Sequence, residues 1–209
     1  EQTYTRFLDL QKAEAQAKEA EIQLGLERVR AASMAMHESK ELTKIVALVY
    51  EQLSSLGFDA WSYLIRTRED TREGFTTWLS LKEMSVLPEG YHLPKLNHPI
   101  HKKVMKAWDD QLEYHVIGFE GKEKKQYDNL LFTKTEWKKF PKKVKDAFRS
   151  MNRAVVCSSN YKHIGLQVVG TESLPEEQAK ILIRFAKAFE QTYTRFLDLQ
   201  KAEAQAKEA

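Results

Sequence analysis

The stretch AVVCSSNYKHIGLQVVG, residues 154–170, decides the fold class of this chain. Its two apolar runs, 154–159 and 164–169, have the length and the β-branched composition of strands. The polar segment 160–163 between them is too short for anything but a turn, and glycines stand near the ends of the second run. Two strands joined by such a turn pair antiparallel, because a parallel pair needs a long crossover. The sequence therefore predicts an antiparallel hairpin.

Three more strands are predicted upstream of this hairpin from alternating apolar and polar residues. They cover residues 58–66, 75–81 and 115–119. The charged segment 69–73 predicts a turn, and residues 84–97, which hold two prolines and a glycine, predict a loop.

Helices are predicted between the strands, where apolar residues recur at spacings of three and four. Ser39 is a candidate N-cap for a helix over residues 42–56 that ends at Gly57. Further helices are predicted over residues 98–114, from 121 through 131, and over 141–151. Hairpins with helices packed on them make an α+β fold, here a central antiparallel sheet flanked by long N- and C-terminal helices.

Those flanking helices share a repeated sequence. Residues 1–20, EQTYTRFLDLQKAEAQAKEA, recur without change as residues 190–209. The text has helix-forming composition and contains neither Gly nor Pro. A period of 189 residues is the size of a domain, so the repeat predicts a helical connector between tandem copies of one domain. An engineered duplication of one end is the alternative.

Apolar residues in the connectors form lines typical of helix pairing. An a/d seam runs through Leu10, Ala13, Ala17, Ala20 and Leu24. A second apolar line runs through residues 22, 26, 29 and 36. In the C-terminal connector the line includes Phe189, Phe196 and Leu199. Such a helix is marginal alone and needs a partner, which is either its own domain or another chain.

These patterns divide the chain into three parts. Residues 1–38 are the N-terminal connector, 39–174 a globular domain, and 175–209 the C-terminal connector. If the partner is another chain, the candidate dimer interface consists of Leu10, Ala13, Ala17, Ala20, Leu24, Phe189, Phe196 and Leu199.

Composition excludes several classes of protein. The net charge of +3 is too small to indicate nucleic-acid binding, and the lysines of residues 122–145 are interleaved with acids, which favours a solvated helix face. No apolar run reaches the length of a membrane span. The single cysteine, Cys157, excludes an intrachain disulfide and fits a reducing cytoplasm. We therefore expect a cytoplasmic protein without membrane contact in this region.

Two stretches of this chain resemble the GAF-like sensory units of bacterial two-component sensor histidine kinases. They are GLERVRAASMAMHESKEL at residues 25–42 and ILIRFAKAFEQTYTRFLDLQKAEAQAKEA at 181–209. The resemblance is most specific in the two connectors. It implies a GAF fold with a sheet of five or six strands, helices on its back and a ligand-sized cavity on the other face. It also implies parallel dimers through the connectors, neighbouring units of the same kind, and a kinase output elsewhere in the parent chain.

Single residues with reactive side chains have ordinary interpretations. His37 next to Glu38 echoes a phosphoacceptor helix, but the proline that normally follows is absent, so a helix-end histidine is favoured. His98 and His101, with His92 and His115 as companions, are a weak pattern for metal or haem. Cys157 lies inside a predicted strand and is expected to be a core thiol. No catalytic pattern and no metal site are predicted, so this region is not expected to be an enzyme.

The aromatic residues are a better indication of a ligand pocket. Tyr63, Trp78, Trp108, Tyr114 and the adjacent His115 lie on elements predicted to line the sheet, and they form the candidate pocket. The alternative is that they simply fill the core. We expect a non-catalytic sensory domain that passes a state-dependent change through dimeric connectors. A ligand-free structural dimerisation spacer is the first alternative, and a haem or metal sensor is the second.

Overall fold

The computed structural model of the chain describes residues 2–68, 73–82, 87 and 89–208. Within them the chain forms an α+β fold of six helices and six strands, with long helices at both ends. The strands are β1 (Ser62–Thr67), β2 (Phe75–Leu81), β3 (Tyr91–Leu93), β4 (His115–Glu120), β5 (Arg153–Asn160) and β6 (Ile164–Gly170). The helices are α1 (Gln2–Met34), α2 (Leu42–Ser55), α3 (Pro99–Asp109), α4 (Gly121–Lys134), α5 (Lys142–Ser150) and α6 (Glu176–Glu208).

All six strands form one antiparallel sheet in the order β3-β2-β1-β6-β5-β4. The predicted hairpin is confirmed as β5 and β6, with Val156 opposite Val169 and Asn160 opposite Gly165. Strand β1 lies in the middle and pairs with β2 on one side and β6 on the other. The hairpin is therefore joined directly to the strands that come first in the chain.

Helices cover both faces of this sheet, because successive side chains of a strand point to opposite faces. Tyr63 and Ile65 of β1 pack in one hydrophobic cluster with α1, α2 and α6. Leu64, between them, packs in a second cluster with α3, α4 and α5. The sheet thus separates two cores. We call the one that contains α1, α2 and α6 the first core, and the one that contains α3, α4 and α5 the second core.

The two terminal helices run in the same direction along the first core. Glu19 of α1 contacts Arg184 of α6, and the backbone oxygen of His37, just beyond α1, accepts a hydrogen bond from Gln200. Residue numbers rise together along both helices, so α1 and α6 are parallel. None of the described helices, these two included, is both long enough and apolar enough to cross a membrane.

Gly25 does not interrupt α1, although it is the one residue of that helix expected to weaken it. A Cβ atom at this position would lie 3.1 Å from Cζ of Phe185 and 3.4 Å from Oε1 of Gln52. The missing side chain therefore lets α1 pass close to both α2 and α6.

Several boundaries differ from the sequence prediction. Helix α1 ends at Met34 rather than near Glu38, and the first strand begins at Ser62 rather than at residue 58. Strand β3 lies inside the region predicted to be a loop, where it pairs with β2. The predicted charged turn at 69–73 falls almost wholly outside the described residues.

The connectors are not separate from the globular domain over their whole length. Ile22, Leu26 and Val29 of α1 and many residues of α6 belong to the first hydrophobic core. The boundaries predicted near residues 38 and 175 therefore cut through one packed body, because each connector uses part of its apolar surface to cover the sheet.

Candidate functional site

A cavity lies in the second core, between the sheet and helices α4 and α5. Its volume is about 50 Å³. That is several times the volume that one water molecule needs on the same measure. It is lined by Leu64, Arg66, Phe119, Lys124, Tyr127, Asp128, Leu131, Trp137, Phe148, Met151, Ala154, Val156, Gln167 and Val169. Most of these side chains are apolar, so the few polar ones decide its chemistry.

Arg66 is the most unusual residue of this lining. It follows Leu64 on the same face of β1 and is only 5% exposed. The Nε and Nη1 atoms of its guanidinium are buried and have no hydrogen-bond partner in the described part of the chain. Its Cζ lies 4.4 Å from the ring centre of Phe75. Burial lowers the pKa of Arg66 to about 10, so the group stays charged at neutral pH. Burying a charged arginine costs free energy unless an anion binds to it.

The other charged residues of the cavity neutralise each other. Nζ of Lys124 contacts Oδ2 of Asp128 one helical turn away, and it donates a hydrogen bond to the backbone oxygen of Phe148 at 2.6 Å. Burial raises the pKa of Asp128, and the hydrogen bond from Lys124 acts in the opposite direction. The prediction that the lysines of residues 122–145 form a solvated helix face is therefore partly wrong, since Lys124 lies inside the core.

Tyr127 and His101 form a neutral polar pair beside Arg66. The Tyr127 hydroxyl lies 3.2 Å from Nδ1 of His101. Burial lowers the pKa of His101 to about 4, with a further contribution from the charge of Arg66. Burial also raises the pKa of Tyr127 to about 12. Neither group carries charge near neutral pH, so neither compensates Arg66.

Gln167 supplies a second unpartnered polar group to the same cavity. It lies on β6, opposite Leu64 of β1, and is almost completely buried. Its Oε1 atom has no hydrogen-bond partner within residues 2–68, 73–82, 87 and 89–208. The cavity therefore holds two guanidinium nitrogens and one amide oxygen that have no hydrogen-bond partner among the described residues.

The aromatic residues predicted to form a pocket do not enclose a single cavity. Tyr63 and Trp78 belong to the first core, and Tyr114 packs against it. Trp108 belongs to the second core, on the other side of the sheet. His115 borders a different surface depression near α3. That prediction is wrong in this respect, because strand alternation sends these side chains to both faces of the sheet.

The polar atoms of these aromatic residues are used by the fold itself. The Tyr63 hydroxyl donates to the backbone oxygen of Phe58 at 3.2 Å, and Nε1 of Trp108 donates to that of Tyr161 at 2.7 Å. Nε1 of Trp78 lies 3.4 Å from Oγ1 of Thr67. These contacts match the alternative that the residues fill the core.

The histidines are also dispersed or structural. Nδ1 of His98 accepts a hydrogen bond from the backbone nitrogen of Ile100 and so caps α3. His101 turns inward to Tyr127. His37 is exposed beyond the end of α1, and its backbone nitrogen donates to Glu41. Among the described residues, no group of three or more His, Cys, Asp or Glu side chains is placed to hold a metal ion.

Cys157 lies on the first-core face of β5 and is 1% exposed. Its sulfur accepts a hydrogen bond from the backbone nitrogen of Leu174 at 3.4 Å. The adjacent Tyr114 has its pKa raised by burial and then by Cys157. This placement is that of a core thiol without access to solvent.

The residues predicted for the dimer interface divide into two groups. Leu10, Ala13, Ala17, Ala20, Leu24 and Leu199 are exposed. Phe189 and Phe196 are buried in the first core of their own chain. The prediction is wrong for these two phenylalanines, because the face they occupy covers the sheet and is not available to a second chain.

Sequence reasoning missed Arg66, Gln167 and the Lys124–Asp128 pair. A signal for Arg66 is present in the strand SYLIRT, where a charged residue stands in phase with Leu64 on a buried face. A scan against protein-family models gives no match for this chain. A search of curated proteins gives no significant match either. The functional argument therefore rests on the geometry of this molecule.

Proposed function

We propose that this chain is a GAF-like, non-catalytic sensory unit of a bacterial sensor histidine kinase. It works in the cytoplasm as a homodimer, and it passes the state of its cavity to an output domain through connector helices. The observation that carries the proposal is an exposed apolar line on α1, in a part of the helix that the domain does not cover, while the C-terminal part of the same helix packs on the domain.

The packed face of α1 consists of Ile22, Leu26 and Val29, which are buried in the first core. The exposed face is the seam, which we define as Leu10, Ala13, Ala17, Ala20 and Leu24. At 100° per residue, Ala17 points about 140° away from Ile22 on the helix surface. The seam is therefore free to pair with the same seam of a second chain while the packed face keeps its contacts.

Small residues make this seam suitable for signalling. Alanines at a and d positions let two helices approach closely but bury little area, so alternative registers or rotations differ by only a few kcal/mol. A small change in the domain is then enough to favour one arrangement.

The sheet supplies a physical link between the cavity and the helices. Arg66 and Gln167 face the cavity from β1 and β6, whereas Ile65 and Leu166 of the same strands face the first core. In that core they belong to the same cluster as Phe185 of α6. A ligand that moves β1 and β6 therefore acts directly on the surface that holds the connector helices.

The repeat supports a continuous connector between units. The described residues of both copies, 2–20 and 190–208, are helical, within α1 and within α6. If the text that follows the first copy also follows the second, the exit helix of one unit becomes the entry helix of the next. The resulting helix is roughly 70 Å long and is shared by two domains.

Sedimentation equilibrium of the unmodified protein at micromolar concentration tests the proposal. We expect a dimer, and we expect the double substitution Ala17→Asp and Leu24→Asp to convert it to a folded monomer, because four carboxylates would then face each other across the pair. The control is Ala15→Asp, which adds a charge to the same helix on the opposite side of the seam. A monomeric unmodified protein, or a dimer unaffected by the double substitution, contradicts the proposal.

A further inference from the structure

The second core contains a positive charge that nothing in the described residues compensates. Arg66 is buried, and the other charged residues described in the cavity lining, Lys124 and Asp128, are bound to each other. The guanidinium lies over the ring of Phe75, and Tyr127, which lines the same cavity, is neutral. A buried guanidinium without a counter-ion among the described residues is stabilised by binding an anion.

The charge balance sets the charge of that anion. Once Lys124 and Asp128 cancel, one positive charge remains, so a singly charged anion restores neutrality. A phosphate dianion would leave excess negative charge in a cavity walled by Leu131, Phe148 and Val156. Such walls offer no hydrogen bonds for the remaining phosphate oxygens. The site therefore favours a monoanion with few charged oxygens.

Size and shape narrow the class further. The cavity volume of about 50 Å³ accommodates a ligand of a few heavy atoms. The planar guanidinium matches the planar, two-oxygen geometry of a carboxylate. The apolar walls suit a short hydrocarbon portion, and Gln167 can pair with one further polar group.

We propose that the cavity binds a small organic monocarboxylate, whose carboxylate is held by the guanidinium of Arg66 and whose hydroxyl or similar polar group meets the amide of Gln167. This inference rests on the proposed sensory function, since it names the class of signal that the same cavity detects. Binding is an exchange of solvent for protein contacts and involves no covalent step.

Calorimetric titration and thermal unfolding of the unmodified chain test this assignment. The probes are sodium formate, acetate, propionate and lactate, with chloride and inorganic phosphate added at matched ionic strength. We expect at least one monocarboxylate to bind saturably, with one site per chain, and to raise the unfolding midpoint by several degrees at saturating concentration. Chloride and phosphate should leave the midpoint within about one degree of the buffer value.

Arg66→Met is the decisive variant, because it removes the charge and keeps much of the apolar stem. We expect carboxylate affinity to fall at least a hundredfold and the ligand-dependent shift in midpoint to vanish. Without ligand, the variant should unfold at the same or a higher temperature than the unmodified protein, since an uncompensated buried charge is gone. A purely structural arginine would instead give a lower midpoint.

Arg68→Met is the matched control. Arg68 follows the same strand, but its guanidinium pairs with Asp109 near the surface, and it does not line the cavity. This variant should retain carboxylate binding. The assignment is overturned if both variants lose carboxylate affinity equally or if Arg66→Met still binds carboxylates. It is also overturned if phosphate binds in place of carboxylates, or if no monocarboxylate binds at 10 mM.

The two proposals can fail separately. If no monocarboxylate binds but the seam substitutions still dissociate the dimer, the ligand class is wrong and the sensory function stands. If a monocarboxylate binds through Arg66 but the unmodified protein is monomeric, the cavity is a real site and signalling through paired helices is wrong.

Discussion

The two copies of the repeated twenty residues have one sequence and two environments. In the second copy, Tyr193 and Phe196 are buried in the first core. The matching residues of the first copy, Tyr4 and Phe7, are largely exposed on α1. Residues 2–20 of the first copy and 190–208 of the second are nevertheless helical. The comparison teaches that local propensity sets the helix, whereas contact with a domain sets which residues are buried.

One position keeps the same environment in both copies. Leu10 is 58% exposed and its counterpart Leu199 is 55% exposed. The domain that covers Phe196 therefore leaves Leu199 free, so this leucine lies on the side of the helix that neither copy packs on the sheet. A face that stays exposed in both contexts is the natural place for contact with a second chain.

The largest expected effect comes from the same substitution made in each copy. Phe196→Ala should lower the free energy of unfolding by about 3–5 kcal/mol, because it leaves a cavity in the first core. Phe7→Ala should change it by no more than about 0.5 kcal/mol. Urea unfolding measures both from the midpoint and the slope. Similar losses in the two variants would mean that Phe7 is covered as well as Phe196.

A smaller effect is expected at the place where the first copy contacts the domain. Glu19 receives two hydrogen bonds from Arg184, which lower its pKa to about 2 from an ordinary value of 4.5. Because the pKa is lower in the folded state, the pair stabilises the fold above pH 4.5, and the gain is lost as pH falls towards 2. The pair is exposed, so its contribution should be below about 1 kcal/mol.

Glu19→Gln tests this contribution through the pH dependence of thermal unfolding. The difference from the unmodified protein should be present at pH 7 and should disappear on acidification through pH 4.5 to 2. Glu14→Gln, on the same helix and without an ion pair among the described residues, serves as the control. A difference that persists unchanged at pH 2 would show that the substitution acts through something other than this ion pair.

The architecture was largely predictable from the sequence, and the reason is local. The hairpin of β5 and β6 is decided by short apolar runs and a four-residue turn, and the long α6 by helix-forming composition after Pro175. Strand β3 was missed because three residues between a proline and a glycine carry too little periodicity. Its existence depends on pairing with β2, which no local pattern reveals.

The candidate site was not predictable in the same way. Grouping Tyr63 and Trp78 with Trp108 ignored the face to which each residue points, which depends on its register in the sheet. Arg66 becomes notable only when the structure shows that Asp128, a carboxylate of the same cavity, is bound to Lys124. The spacing of Phe189 and Phe196 correctly indicated an apolar helix face, but spacing alone does not tell whether a domain or a second chain covers it.

Disulfide formation between engineered cysteines tests the central claim, pairing of the seams in a parallel dimer, most directly. Ala17→Cys lies on the seam, and Ala15→Cys replaces the same exposed residue type on the opposite side of the same helix. The native Cys157 is buried and does not compete. Under mild oxidation at micromolar concentration, the account predicts a covalent dimer for Ala17→Cys and almost none for Ala15→Cys. No covalent dimer with Ala17→Cys, or equal amounts in both variants, would contradict it.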